Sequence, residues 1–78
     1  MTAITTLQKL RKARTSLVLD HPFFGCLSLK LELIEDLNME TAGVNASQLR
    51  YNPEFIDSLS ARETIGLMAH EVMHVALG

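Results

Sequence analysis

The chain has 78 residues, of which 47% are hydrophobic and 21% charged, and its formal net charge is −2 at pH 7. This hydrophobic content excludes a disordered chain, and the small negative charge gives no reason to expect a nucleic acid as a partner. A domain of this size buries only a small core, so a bound metal ion or a partner chain would add to its stability. We expect one domain over residues 1–78.

The only cysteine, Cys26, cannot form an internal disulfide, so a reducing, cytoplasmic setting is expected. No basic stretch is followed by the uninterrupted apolar run of a secretory signal. The apolar run over residues 65–78 is interrupted by two histidines and a glutamate, and it is too short to span a bilayer. The sequence therefore predicts a cytoplasmic protein with no membrane partner.

The first half of the chain predicts a helix followed by a strand. Apolar residues recur at helical spacing over residues 3–19, with lysines and arginines between them, which is typical of an amphipathic helix. His21-Pro22 should end it, because the residue before a proline avoids the helical region. Phe23 and Phe24 are expected in the core beneath a sheet. Leucines alternate with other residues over residues 27–34, and this period of two predicts a strand.

The second half predicts a turn over residues 36–40, short strands over residues 41–44 and 47–51, and one helical turn over residues 53–56. The last helix should begin at Ser60, because Glu63 follows three residues later and completes a capping box. Gly78 could be its C-cap. We expect an α+β fold with helices on one face of a small antiparallel sheet.

The last helix carries the sequence His70-Glu71-Val72-Met73-His74, which is an HExxH motif. Positions i and i+4 of a helix lie about 40° apart around its axis, so both histidines can bind one Zn²⁺ ion. Glu71 lies beside the first histidine, where its carboxylate can act as a general base without binding the metal. The alternative is a plain core helix. It is disfavoured because three polar groups in an otherwise apolar, buried helix are costly without a metal or hydrogen bonds.

A catalytic zinc site normally has three protein ligands and a water molecule. His21 and Cys26 are further ligand candidates, but a loop histidine and a small buried thiol are the favoured interpretations. The longer motif HExxHxxGxxH would supply a third histidine ligand, but it requires glycine at position 77, where the sequence has Leu77. A later acidic ligand would need a further helix, so we expect the chain to hold only the front part of a metal site.

Several segments along the chain match a known pattern. They are Ala13-Arg14, His21 to Gly25, Thr41 to Gly43, Leu49 to Phe55, Leu59-Ser60 and Ala69 to Gly78. On these residues the sequence resembles the N-terminal part of the bacterial metallopeptidase domain that precedes a von Willebrand A-like domain. The resemblance implies a partial zincin-like fold, a zinc cofactor and a peptide or protein substrate. It also implies a downstream acidic residue as the third ligand.

Three functions remain as hypotheses. The first is the N-terminal portion of a zinc-dependent metallopeptidase that hydrolyses peptide bonds when complete. The second is a non-catalytic, truncated metal-binding or protein-interaction module. The third is a basic-helix module for nucleic acid or membrane, which is ranked last because the chain has few basic and aromatic residues. The apolar last helix also predicts self-association.

Overall fold

The computed structural model describes residues 5–45 and 47–77, which form helices on a small sheet. In chain order the elements are α1 (Thr6–Asp20), α2 (Pro22–Leu29), β1 (Glu32–Glu35), β2 (Ala42–Val44), β3 (Gln48–Tyr51), α3 (Pro53–Asp57) and α4 (Ala61–Leu77). The predicted α+β class is confirmed. The predicted helix start at residue 3 and the C-cap at Gly78 lie outside the described residues.

Helix α1 begins and ends where local side chains allow it. Thr5 caps its start: the Thr5 hydroxyl accepts a hydrogen bond from the Gln8 backbone N–H, and the Gln8 side chain accepts one from the Thr5 N–H. Such a reciprocal pair satisfies two backbone donors that the first turn leaves free. The helix ends at Asp20, one residue before His21-Pro22, as the sequence predicts.

The strand predicted over residues 27–34 is wrong for most of its length, because residues 22–29 form helix α2. Pro22 occupies the first turn of this helix, where a proline needs no N–H partner and its fixed φ favours helix. Gly25 lets α2 cross close to α1, since a Cβ atom there would lie 2.3 Å from Val18 Cα. Of the segment predicted as a strand, only the end is one: strand β1 begins at Glu32.

The sheet is mixed, which corrects the predicted antiparallel arrangement. Strand β3 lies in the centre, antiparallel to β2 and parallel to β1. The β2–β3 pair is a local hairpin, in which the Asn45 side chain accepts hydrogen bonds from the N–H groups of Ser47 and Gln48. Strand β1 pairs with the other edge of β3, so its direction depends on a longer connection that the strand pattern does not encode.

The core lies between the sheet, α1 and α4. Its fully buried side chains are Leu10, Leu17, Leu49, Ile56, Met68 and Val72. Phe24 packs against this core, but Phe23 is 68% exposed, so its predicted core position is wrong. Burial, with smaller contributions from Glu35 and Asp57, raises the pKa of the Tyr51 hydroxyl on β3.

Helix α3 is held against α1 by polar contacts. Lys9 donates hydrogen bonds from its ammonium group to the carbonyl oxygens of Ile56, at 2.8 Å, and Leu59. The Thr6 hydroxyl donates to the Asp57 carboxylate at 2.7 Å. These contacts fix the chain directly before α4 and so help to set where α4 begins. In the part of the chain that the structure describes, no helix is long and apolar enough to cross a membrane.

Candidate metal centre

The start of helix α4 is fixed by the predicted capping box. The Glu63 N–H donates to the Ser60 hydroxyl at 3.0 Å, and the Ser60 N–H donates to the Glu63 carboxylate at 2.8 Å. Hydrogen bonding of the Glu63 carboxylate to Ser60, foremost to the Ser60 backbone N–H, lowers the pKa of Glu63. From this start α4 runs without a break to Leu77, so it holds the whole HExxH segment at regular helical spacing.

His70 and His74 are brought together on one face of α4. Their Nε2 atoms lie 3.1 Å apart, and their ring centroids are 4.6 Å apart with the rings nearly perpendicular. Two nitrogen ligands at about 2.0–2.1 Å from a tetrahedral zinc ion are roughly 3.3–3.4 Å apart. The distance between the two Nε2 atoms is thus close to that of two ligands on one ion. The same distance lets one ring nitrogen hydrogen-bond to the other, so the rings must turn before both lone pairs face an ion, and their role as metal ligands stays a prediction.

Both histidines are exposed, which differs from the expected burial of the whole helix. The buried positions of α4 are Thr64, Met68, Glu71 and Val72, so only one side of the helix faces the core. The apolar composition concealed this difference because the exposed side also carries methionine and leucine. The exposed histidines remain accessible to a metal ion from solvent.

Glu71 lies at the boundary between the histidine face and the core face. At 100° per residue it is about 100° around the helix axis from His70 and about 60° from His74. Its side chain is 8% exposed. No buried side-chain oxygen or nitrogen in residues 5–45 and 47–77 lacks a hydrogen-bond partner. Glu71 is thus at the edge of the histidine face and turned toward the core, and it is not among the residues that line the cavity over the imidazoles.

A shallow cavity of about 280 Å³ lies over the two imidazoles. It is lined by His70, Met73, His74 and Leu77. Met73 and Leu77 are 44% and 81% exposed, so the rim of this cavity is apolar and open to solvent. Sequence reasoning missed these two rim residues, although their positions three and seven residues after His70 place them near the same helix face.

The weaker ligand candidates do not join the pair. His21 lies at the α1–α2 junction and Cys26 on α2, and both are exposed. Gly66, one turn before His70, is exposed, and a Cβ atom built there would meet open space. Among the described residues, no group of three or more His, Cys, Asp or Glu side chains is placed to hold a metal ion.

The arrangement defines a small α+β domain whose last helix carries two adjacent exposed histidines and a buried glutamate between them in the sequence. A family model described as "Putative metallopeptidase domain" matches residues 5–78, and the chain belongs to this family. No curated protein and no solved structure matches the chain. Family membership supports a metallopeptidase-like function and a metal cofactor. The choice of zinc, the bacterial origin and the neighbouring von Willebrand A-like domain stay predictions.

Proposed function

We propose that His70 and His74 bind a zinc ion and that Glu71 is the general base of peptide-bond hydrolysis. The observation that supports this most is the 3.1 Å separation of the two exposed Nε2 atoms in a chain of the metallopeptidase family. The residues fit the ion because two neutral imidazoles at this separation are suitable zinc ligands. When bound, zinc supplies positive charge that makes a nearby water more acidic and polarises a carbonyl group.

Glu71 has the proton-transfer role in this proposal. Its carboxylate accepts a proton from the attacking water as the water oxygen bonds to the peptide carbonyl carbon. The same carboxyl group then returns that proton to the amine nitrogen as the C–N bond breaks. A carboxylate that is not itself a metal ligand can accept and return this proton while the histidines stay bound to the metal. The position of Glu71 one residue after His70 meets this requirement.

The proposal requires a third protein ligand, since two histidines alone hold zinc weakly and leave the reacting water poorly placed. The described residues provide no third ligand near the pair. This same observation favours a second candidate function, a non-catalytic metal-binding or interaction module. The two candidates agree on the ligands and differ on whether Glu71 transfers a proton.

The test compares the zinc-loaded protein, expressed from its complete open reading frame, with its Glu71→Gln variant. Both are assayed for zinc content and for cleavage of a mixed peptide library. We expect the variant to keep its zinc and to lose about 10²–10⁴-fold in cleavage rate, the usual contribution of a general base. Glutamine is the matched change because it keeps the size of the side chain and removes the base.

Cleavage that survives Glu71→Gln would exclude Glu71 as the base. A parent protein that binds zinc and cleaves no peptide in the library would favour the non-catalytic module. Loss of zinc from the Glu71→Gln variant would instead show that the carboxylate helps to hold the metal.

A further inference from the structure

We infer that one zinc ion can join two copies of this chain through His70 and His74 of each copy. The inference rests on the proposed zinc site and names the partner that completes its coordination. A tetrahedral ion takes four ligands, and the described part of one chain offers two of them on an exposed helix face. A second copy supplies two more nitrogen atoms of the same chemistry.

Two-fold symmetry suits this pairing. In a symmetric dimer the same patch of each copy faces the other, so an ion on the axis meets the identical ligand pair twice. The two Nε2 atoms lie 3.1 Å apart, near the separation that a tetrahedral ion requires, so rotation of the rings alone can turn both lone pairs toward the axis. Neither helix therefore needs to change its backbone to present its pair.

The surface around the histidines is compatible with a second copy. Glu71 is the only Asp, Glu, Lys or Arg in residues 69–77, and it is buried at the boundary of the core. This part of α4 therefore brings no like charges together when the two faces meet. The exposed rim residues Met73 and Leu77 would lie against the same residues of the other copy and lose contact with water.

The apolar rim alone is too small to hold a dimer. Stable protein interfaces bury about 1,200–2,000 Å² in total, and two partly exposed side chains from each copy supply only a fraction of that area. The metal ion must therefore provide the main attraction. This makes the expected dimer strictly dependent on zinc, which separates it from general hydrophobic association.

The bridged dimer has a consequence for the proposed chemistry. Four nitrogen ligands fill a tetrahedral zinc ion, as in structural sites, and leave no position for a reacting water. The bridged form should therefore be inactive in hydrolysis. If one third protein ligand replaced the two histidines of the second copy, one coordination position of the zinc ion would be free for water. Dimer formation would therefore inhibit the proposed peptidase.

The experiment is sedimentation velocity of the tag-free 78-residue chain, titrated with zinc and then with a chelator. We expect conversion from monomer to dimer that saturates at about 0.5 zinc per chain and reverses when the chelator is added. His74→Ala should abolish the zinc-dependent dimer. Leu77→Lys places two cations across the axis, so it should weaken the zinc-dependent dimer at least about tenfold.

The outcomes separate this inference from the zinc site on which it rests. Monomer with one zinc per chain overturns the bridged dimer and leaves the His70–His74 site intact. No zinc binding overturns both. A dimer that forms without zinc, or one that survives His74→Ala, overturns the bridge by these imidazoles.

Discussion

Both sides of helix α4 carry apolar residues, but their surroundings differ. One side carries Thr64, Met68 and Val72, which are fully buried against the core, with Glu71 at its edge. The other side carries His70 and His74 with an apolar rim, and it faces solvent. The comparison indicates that the side packed against α1, α2 and the sheet contributes to the stability of the fold. The exposed side contributes little to it and is accessible to a ligand.

The largest expected change in stability comes from a comparison of two methionines on α4. Met68 is 1% exposed, whereas Met73 is 44% exposed. Met68→Ala should lower the free energy of unfolding by about 2–5 kcal/mol, since it removes buried methylene groups and leaves a cavity. Met73→Ala should change it by less than about 0.5 kcal/mol, as for most surface substitutions. Urea denaturation of both variants measures the contrast.

Equal losses from the two methionine variants would contradict the assignment of one buried and one exposed side. Because the residue type and the substitution are the same at both positions, helix propensity cancels in the comparison. Only the difference in burial remains to account for a difference in stability.

A smaller effect is expected at the start of α4. Ser60→Ala removes the acceptor for the Glu63 N–H, and loss of such an N-cap costs about 0.5–2 kcal/mol of stability. Ser60→Asp restores an acceptor at the cap and should recover most of the loss. The measurement is again the urea midpoint, with circular dichroism to follow helix content. A variant Ser60→Ala as stable as the parent would show that packing alone fixes this helix start.

The capping box and the histidine pair could be predicted from the sequence because both depend on spacing within one helix. Ser60 and Glu63 are three residues apart, and His70 and His74 are four apart, so helical geometry alone brings each pair together. The turn after Asp36 and the short helix α3 also follow from local residues. These features need no knowledge of the rest of the fold.

The errors concern contacts between distant segments. The alternating leucines after Gly25 indicate a strand, yet residues 27–29 belong to helix α2, which crosses close to Val18, and the strand begins only at Glu32. The parallel pairing of β1 with β3 depends on how the chain returns to the sheet, which a strand pattern does not encode. The exposure of His70 could not be read either, since apolar residues surround it in the sequence on every side of the helix.

The most direct test of the central claim is a zinc titration of the 78-residue chain with a competing chelator. The claim predicts that His70→Ala combined with His74→Ala lowers zinc affinity at least about 100-fold, because both nitrogen ligands are lost. His21→Ala is the matched control, since it removes an exposed histidine outside α4, and it should keep the affinity of the parent. Equal zinc affinity of the parent and the double variant would contradict the claim.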